Sequence, residues 1–426
     1  MYRKLKSPLS VQIELTDNCN QVCSHCYRSC QIISKSETKK MSSAQIIKIV
    51  DELAKNEVFC ITFSGGEPLM CKDVLEAGIR RAREYGIVCA VNTNLQLLTK
   101  DVAKMFLDND VALLTSLLSD EAIIHDSIAN LKGGHAKLLR NIRFLADMGV
   151  LIGANMVVRS DNAHQVYETG KLACELGVMQ FSATKVAPSP GMDYLAFKAS
   201  PAQIRQSMDD LLRINEEYKV QVEILETYPL CFFQDLKKYS KFIKRNCTAA
   251  VFNCSISPDG NVRPCAHADM SYGNVFVTSF QECWGAMDDW RNGDYLNAEC
   301  GECEYLLQCT GGCRIDAKHF YGDIRGKDPL MTHPSKVIPL KEADRSPSII
   351  PEILTFNPQA YFRDEDFGGI VKFQDEIVLL SPEGLAAIRL FHLKKSFPWQ
   401  NEHMPSLTTE ERIEFFDVLH RKNILL

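Results

Sequence analysis

The chain has 426 residues and a formal net charge of −6 at pH 7, and this length is enough for two or three domains with sizeable cores. The mild acidity gives no reason to expect binding to nucleic acid or to an anionic membrane surface. No secretory signal follows the charged N-terminus, and no apolar run approaches the ~20 residues that a membrane span needs. The sequence therefore predicts a cytoplasmic protein with no membrane segment.

Residues 11–186 alternate short β-rich runs with longer helical patterns, which is typical of repeated β-α units around a parallel sheet. The candidate strands are 11–15, 59–63, 88–92, 111–116, 151–157 and 180–186. A capping box from Ser42 to Gln45 predicts the start of a helix, and further helical patterns cover 164–176 and 201–217. We predict an α/β fold, a partial (β/α)6 barrel over residues 8–235, with site loops at the C-terminal ends of the strands.

The chain contains seventeen cysteines. In a reducing compartment, such a number favours metal ligation over disulfides. The cysteines concentrate at 19–30 and 247–313, which predicts two metal-binding regions.

The first region follows the first predicted strand and contains Cys19, Cys23 and Cys26, spaced Cys-x3-Cys-x2-Cys. Three thiolates on one loop can bind three irons of a 4Fe–4S cluster and leave the fourth iron free for a small molecule. A zinc knuckle is the alternative, but structural zinc usually takes four ligands from two separated pairs. The spacing therefore favours an iron–sulfur cluster.

This triplet resembles the signature of the radical S-adenosylmethionine (SAM) enzymes, which follows the first barrel strand. The resemblance implies that Cys19, Cys23 and Cys26 hold a 4Fe–4S cluster whose fourth iron is chelated by the amino and carboxylate groups of SAM. It further implies reductive cleavage of SAM to a 5′-deoxyadenosyl radical that abstracts hydrogen from a substrate.

The second predicted strand ends at a loop that contains Gly65, Gly66 and Glu67. Paired glycines allow the backbone to approach a ligand closely, although a plain tight turn is the default interpretation. The loop resembles the Gly-Gly-Glu motif of the family, which implies that it holds the SAM amino group.

Polar residues at the next strand ends extend this resemblance. Asn94 lies in a stretch similar to the family's ribose-contacting segment, and Ser116 occupies the place of a serine that meets the SAM carboxylate in relatives. Asn155 and Arg159 follow on the fifth strand and are further candidates for binding SAM. The alternative for each is a polar loop residue satisfied within the protein.

The second cysteine region contains Cys247, Cys254 and Cys265, then the quartet Cys300, Cys303, Cys309 and Cys313. A Pro-Asp-Gly turn before Cys265 predicts a hairpin that brings Cys254 and Cys265 near each other. Zinc ribbons show similar pairs, so composition leaves zinc open.

The region resembles the SPASM extension of radical SAM enzymes, here residues 236–335. The resemblance implies that Cys247, Cys254, Cys265 and Cys313 hold auxiliary cluster I, and that Cys300, Cys303 and Cys309 belong to auxiliary cluster II. The family's final cysteine has no counterpart, because no cysteine follows Cys313.

The fourth ligand of cluster II is left open by the sequence. A carboxylate, an imidazole or a vacant position can replace a thiolate on iron, and the cluster itself can be absent. The candidates at the expected place are Asp323, Asp328, Met331 and His333, and the cysteines with no assigned role are Cys30, Cys60, Cys71, Cys89, Cys174, Cys231 and Cys283.

Residues 336–352 are rich in Pro and Ser and predict a linker. The tail at 353–426 shows strand patterns at 367–373 and 376–380 and helices opening near Ser381 and Thr408. This layout resembles a small winged-helix-like peptide-recognition domain, which would bind a leader peptide as an added strand. A packing extension is the alternative.

The resemblances together imply a SPASM-type maturase that modifies a ribosomally synthesised peptide by crosslinking, oxidation, or backbone excision or rearrangement. Its cofactors would be SAM, the radical SAM 4Fe–4S cluster and one or two auxiliary 4Fe–4S clusters. Its partners would be the precursor peptide, a flavodoxin- or ferredoxin-type electron donor and a separate peptide-recognition protein.

Two alternatives to this function stay open. One is a tetrapyrrole- or haem-modifying radical SAM enzyme with the same cysteine regions. The other is a non-catalytic metal-binding scaffold, against which the intact triplet and the Gly-Gly-Glu loop argue. No catalytic acid or base can be identified from the sequence.

Overall fold

The computed structural model describes residues 3–27, 38–188, 192–332, 350–374, 376–399, 404 and 406–426. It divides into two compact units, Met1–Leu340 and Lys341–Leu426. None of the helices in the described ranges has both the length and the apolar character that crossing a membrane requires.

The first unit is built on one sheet of nine strands in the order β7-β6-β5-β4-β3-β2-β1-β8-β9. The strands are β1 Ser10–Glu14, β2 Cys60–Ser64, β3 Val88–Asn92, β4 Ala112–Ser116, β5 Ile152–Val158, β6 Gln180–Lys185, β7 Gln221–Glu223, β8 Asn253–Ile256 and β9 Val262–Arg263. All neighbouring strands are parallel except β8 and β9, which form an antiparallel hairpin. β1–β6 confirm the six predicted strands to within one residue at each end.

Helices connect these strands and continue through the cysteine-rich segment. They are α1 Ser43–Lys55, α2 Lys72–Glu84, α3 Lys100–Asp108, α4 Ala122–Ala129, α5 Gly134–Asp147, α6 Val166–Glu175, α7 Tyr194–Phe197, α8 Pro201–Tyr218, α9 Leu230–Phe233, α10 Phe280–Gly285, α11 Asp288–Asn292, α12 Leu306–Cys309 and α13 Arg314–Tyr321. The predicted capping box at the start of α1 is confirmed, because Ser42 and Gln45 exchange side-chain and backbone hydrogen bonds. Helices between successive parallel strands give the α/β architecture that we predicted.

The two faces of the sheet have different chemistry because strand side chains alternate. Val11 and Ile13 of β1 are fully buried in the main hydrophobic core, together with residues of α1 and α2. Burial of each such aliphatic side chain contributes about 1.5–3 kcal/mol to folding. Ser10 and Gln12 alternate with them and border a cavity, which Val11 also borders, so β1 contributes polar side chains to the wall of this cavity.

The cysteine-rich segment joins the same sheet. β8 pairs in parallel with β1, from Ser10 opposite Asn253 to Ile13 opposite Ile256. The predicted Pro-Asp-Gly hairpin is confirmed as the β8–β9 connection, and Gly260 in it has a φ of +87°. The segment is therefore held beside the first strand, next to the loop that bears the cysteine triplet.

The second unit is a small α+β fold with its own core. It contains β10 Ile353–Thr355, β11 Tyr361–Glu365, β12 Gly368–Phe373, β13 Glu376–Leu380, β14 Ser396–Pro398, α14 Pro382–Lys394 and α15 Thr409–Arg421. β11, β12 and β13 form an antiparallel meander and β10 pairs with β14. The structure confirms the predicted strand 376–380, the helix opening after Ser381 and the capping box at Thr408.

Candidate active site

The cysteine triplet lies on the loop that follows β1, and all three cysteines border a cavity of about 570 Å³. The loop is locally ordered: the N–H of Gln21 donates to Cys19 Sγ at 3.5 Å, and the N–H of Cys26 donates to the Cys23 carbonyl at 3.1 Å. Burial raises the pKa of the Cys19 thiol to about 11. Loading with a metal cluster must therefore displace the thiol protons.

The Gly-Gly-Glu loop packs directly on the start of the cysteine loop. The N–H of Gly66 donates to the Thr16 carbonyl at 2.6 Å, and the N–H of Glu67 donates to the Asn18 carbonyl at 2.8 Å. Gly65 has a φ of +130°, and a Cβ there would lie 2.5 Å from the Thr16 carbonyl oxygen; a Cβ at Gly66 would overlap Asn18. Glycine is therefore required at both positions for the two loops to pack together, and this packing sets the position of the triplet.

Glu67 ties the end of β2 to the end of β3. Its buried carboxylate accepts hydrogen bonds from the N–H of Leu69 at 2.9 Å, the hydroxyl of Thr93 at 2.7 Å and the N–H of Asn94 at 2.8 Å. Burial raises its pKa, while these three donors oppose the rise. The side chain is thus engaged within the protein, although Glu67 borders the cavity.

Asn94 joins this network to the triplet loop. Its Nδ2 donates to Asn20 Oδ1 at 2.8 Å and lies 3.8 Å from Cys19 Sγ. It also borders the cavity. The structure therefore brings Asn94 and the cysteine loop together, as the resemblance implied.

Ser116 and Asn155 stand opposite each other at the ends of β4 and β5 and border the same cavity. The hydroxyl of Thr184 donates to Asn155 Oδ1 at 2.7 Å. Both residues thus lie where a ligand of the triplet region can reach them.

Arg159 is placed differently from the other candidates for binding SAM. Its guanidinium forms an ion pair with Asp161, with Nη2 and Oδ2 2.7 Å apart, donates to Ser24 and lies 3.9 Å from the centre of the Phe197 ring. It is not among the residues that border the cavity. In this structure it positions Ser24 of the triplet loop.

Four cysteines of the second region, Cys247, Cys254, Cys265 and Cys313, border the same cavity as the triplet. Three of them influence one another electrostatically: burial, followed by the charge of Cys247, raises the pKa of Cys265 to about 12, and Cys247 also acts on Cys313. The structure therefore brings to one cavity the four cysteines that the resemblance implied for auxiliary cluster I.

Cys254 differs from the other three cysteines in its place on the sheet. In the register of β8 on β1, Cys254 pairs with Val11, and parallel partners point to the same face of a sheet. Val11 is fully buried in the core, and the charges that act on Cys254 are those of Arg291 and Cys283. The hairpin forms as predicted and both Cys254 and Cys265 border the cavity, so the role of Cys254 as a ligand stays a prediction.

Cys300, Cys303 and Cys309 form a separate group in consecutive turns before α13. The N–H of Cys303 donates to the Cys300 carbonyl at 3.1 Å, and Cys309 Sγ accepts from the N–H of Leu230 at 3.2 Å. Cys231, which follows Leu230, lies beside this group. The spacing of the cysteines in the sequence did not indicate that Cys231 belongs near them.

The four residues considered as a replacement for the family's final cysteine have different positions. Asp328 is buried and accepts from the N–H groups of Cys313 at 2.7 Å and Leu330 at 2.8 Å. Asp323 is exposed, and Met331 Sδ lies 4.0 Å from Cys300 Sγ. His333 lies outside the described residues.

The cavity also contains paired charged groups that sequence reasoning missed. Glu226 and His267 face each other with Oε1 and Nε2 3.3 Å apart, and the His267 ring stacks on Tyr27 at 4.5 Å. Burial works to raise the pKa of Glu226, but His267 brings it down to about 2. Lys185 at the end of β6 forms a buried ion pair with Asp316 of α13.

The donor set fits iron–sulfur clusters. Each of the sixteen cysteines in the described ranges is a free thiol. The imidazole of His25, between Cys23 and Cys26, buries an Nδ1 atom for which the described part of the chain offers no hydrogen-bond partner, a position that a bound group can satisfy. In the same ranges, no three His, Cys, Asp or Glu side chains converge as ligands of a single metal ion, whereas cubane thiolates bind separate irons and need not converge.

Comparison with known families defines the class of this protein. The Radical SAM superfamily model matches residues 13–173, and the SPASM iron–sulfur cluster-binding domain model matches residues 247–304. The chain therefore carries a radical SAM domain and a SPASM domain. Its cofactors are S-adenosylmethionine and 4Fe–4S clusters.

Individual relatives differ in their reactions. The AdoMet-dependent heme synthase of Nitratidesulfovibrio vulgaris is 24% identical over 77% of this chain and 93% of its own length. The PqqA peptide cyclase of Rhodopseudomonas palustris is 28% identical over 76% of this chain and 86% of its own length. The chain is thus similar both to a heme synthase and to a peptide cyclase.

Streptococcus suis SuiB has the same fold over most of both chains. Its crystal structures bound to S-adenosylmethionine and to the precursor peptide SuiA match with TM-scores of 0.63 and 0.64 at 16% identity. The matches cover 77% of this chain and 78% and 76% of the SuiB chains.

Proposed function

We propose that this radical SAM enzyme modifies a ribosomally synthesised peptide, and that Cys19, Cys23 and Cys26 hold its radical-generating 4Fe–4S cluster. When bound, this cluster and SAM supply a 5′-deoxyadenosyl radical by one-electron reductive cleavage. A flavodoxin- or ferredoxin-type protein would supply the electron.

The chain's own residues would position SAM beside the triplet. The Gly65–Glu67 loop fixes the cysteine loop, so we propose that its backbone meets the SAM amino group while the Glu67 carboxylate braces the loop. Asn94, Ser116 and Asn155 border the cavity on neighbouring strand ends and present amide and hydroxyl groups to the ribose and carboxylate. Arg159 would act indirectly, through Ser24 of the triplet loop.

The second group of thiols borders the same cavity. We propose that Cys247, Cys265 and Cys313 hold auxiliary cluster I, so that a substrate in the cavity would lie between the two clusters. Glu226 and His267 are the proposed acid–base pair, because each side chain keeps 22% of its surface exposed and can exchange a proton with a bound substrate.

The observation that favours a peptide substrate is that most positively charged side chains lining the cavity already have partners within the protein. The three Lys and Arg residues among its described lining are Lys185, Arg245 and Arg314. Lys185 is neutralised by Asp316, and Arg314 is buried and donates to the carbonyls of Tyr295, Gly311 and Gly326. A tetrapyrrole with several carboxylates would leave most of its charges without a partner here, at high desolvation cost.

The length of the chain does not separate the two choices, because the matches to the heme synthase and to the PqqA peptide cyclase cover 77% and 76% of this chain. The heme synthase is matched over 93% of its length, but the match covers only 77% of this chain. This chain therefore has additional sequence that this relative does not share. We propose that the C-terminal unit, with its meander β11–β13, recognises the peptide by pairing with an added strand.

The second candidate is a tetrapyrrole-modifying enzyme, because the heme synthase relatives match the chain over more than three quarters of its length. The test is to incubate the anaerobically reconstituted enzyme with SAM and dithionite, adding either a candidate precursor peptide, sought among the genes beside this one, or an iron coproporphyrin. The proposal predicts a mass change in the peptide and stimulation of 5′-deoxyadenosine release by it. A modified porphyrin and an unchanged peptide would favour the second candidate.

A further inference from the structure

A fourth thiol lies beside the group formed by Cys300, Cys303 and Cys309. Cys231 is the second residue of the short helix α9, and Leu230 immediately before it donates its N–H to Cys309 Sγ at 3.2 Å. Because the two residues are consecutive, this hydrogen bond holds Cys231 at the edge of the cysteine group.

A second segment holds Cys231 from another side. The N–H of Thr332 donates to Cys231 Sγ at 3.3 Å, and the Thr332 hydroxyl donates to the Cys231 carbonyl at 2.7 Å. The preceding residue, Met331, places its Sδ 4.0 Å from Cys300 Sγ. Residues 331–332 therefore bridge Cys231 to Cys300, as Leu230 bridges it to Cys309.

These thiols also act on one another electrostatically. Charge on Cys231 helps to raise the pKa of both Cys300 and Cys309, after the larger effect of burial. Charge on Cys303 acts in the same way on Cys231. The directions of these shifts agree with the hydrogen bonds that hold Cys231 beside the group.

The competing oxygen donors are already engaged or exposed. Both carboxylate oxygens of Asp328 accept backbone N–H groups, from Cys313 and Leu330. Asp323 is exposed and accepts from the N–H of Arg325 at 2.9 Å. Met331 is the nearest alternative, but its sulfur is a neutral thioether, whereas thiolate is the usual ligand of cluster iron.

We propose that Cys231 is the fourth protein ligand of auxiliary cluster II, completing a four-thiolate set with Cys300, Cys303 and Cys309. The ligand comes from a segment before the SPASM domain, in place of the cysteine that the family carries after it. The N–H groups of Leu230 and Thr332 donate to ligand sulfurs, which stabilises thiolates and tunes a cluster's reduction potential. This inference concerns the cluster alone, so it stands or falls independently of the substrate.

The test compares three variants of the full-length chain after anaerobic reconstitution. Cys231→Ala removes the proposed ligand and Met331→Leu removes the competing sulfur. Cys174→Ala is the matched control, because this half-buried thiol on α6 is acted on by burial and Glu175 rather than by another cysteine. Iron and sulfide are counted, and the clusters are examined by Mössbauer and electron paramagnetic resonance spectroscopy.

We expect Cys231→Ala to lose roughly one to four irons per chain, or to change one iron of a retained cubane. Cys174→Ala and Met331→Leu should keep the wild-type iron content and spectra. Unchanged iron and spectra in Cys231→Ala, or a loss confined to Met331→Leu, would overturn the proposal.

A measurement on the wild-type chain covers the case in which Cys231→Ala does not fold. Under native conditions, alkylation followed by peptide mass spectrometry compares the cluster-loaded protein with the cluster-free protein. Loading should protect Cys231 together with Cys303, while the labelling of Cys174 stays the same in both. Equal labelling of Cys231 in the two forms would contradict its role as a ligand.

Discussion

The triplet loop and the auxiliary cysteine segment both supply thiols for iron–sulfur clusters, but the first does so from one short stretch of sequence and the second from distant segments. Cys19, Cys23 and Cys26 lie within eight residues on one loop, so their spacing alone defines a ligand set. The auxiliary thiols are assembled by the fold. Cys247 and Cys313 border one cavity, and Cys231 and Cys300 both contact residues 331–332 although they are about 70 residues apart in the chain. A local site can be recognised from spacing, whereas an assembled site requires knowledge of the strand faces and loop contacts.

The largest expected effect comes from breaking the local site. Cys23→Ala removes one of three ligands from a loop that has no spare thiol in its described part, so we expect no detectable 5′-deoxyadenosine from SAM and dithionite. High-performance liquid chromatography of the nucleoside products measures it. Cys174→Ala should retain wild-type release, and release by the Cys23 variant would show that the triplet does not carry the chemistry.

The next largest effect is a difference in iron loss between two cysteines, Cys265 and Cys254, which the sequence resemblance assigned to the same cluster. Cys265→Ala should lose up to about four irons from auxiliary cluster I, because this thiol faces Cys247. Cys254→Ala should lose less iron, because Cys254 pairs with the buried Val11 and its thiol is acted on by Arg291 and Cys283 rather than by Cys247 or Cys265. Iron counts of the two reconstituted variants decide the matter, and equal losses would show that both thiols bind iron.

A smaller effect tests how the Gly-Gly-Glu loop holds the triplet. Gly66→Ala places a Cβ on the Asn18 carbonyl, so the free energy of unfolding should fall by about 1–3 kcal/mol. Gly285→Ala at the end of α10 has open space around its Cβ and should be neutral or stabilising by up to about 1 kcal/mol. Chemical denaturation of both variants measures the difference, and equal stability would refute the loop contact.

The smallest effect concerns Asn94. Asn94→Ala loses the hydrogen bond to Asn20 beside Cys19, worth about 1 kcal/mol, so SAM should bind roughly fivefold more weakly. Asn109→Ala is the control, since it loses a bond of the same kind to the Met105 carbonyl at the end of α3. Calorimetric titration with SAM measures both, and equal affinities would leave Asn94 with a structural role only.

The sequence predicted the parts of the molecule that depend on local pattern. The strands β1–β6 follow from short β-rich runs between helical patterns, and the capping boxes at Ser42 and Thr408 follow from contacts within one turn. β7 was missed because a strand of three residues carries no alternation of its own.

The missed parts of the site depend on contacts between distant segments. The Glu226–His267 pair joins residues about 40 positions apart, and Lys185 meets Asp316 across about 130. Spacing also cannot set the face of a strand, so it could not show that Cys254 pairs with the buried Val11. Cys231 was missed because its partners reach it through Leu230 and Thr332.

The most direct test of this account is the iron content of a chain without the triplet, Cys19→Ala/Cys23→Ala/Cys26→Ala, reconstituted anaerobically beside the wild type. Two auxiliary cubanes, each with its own thiol set, predict about eight irons per chain in the variant and about twelve in the wild type. Four or fewer irons in the variant, or zinc in their place, would contradict the two assembled sites on which the account rests.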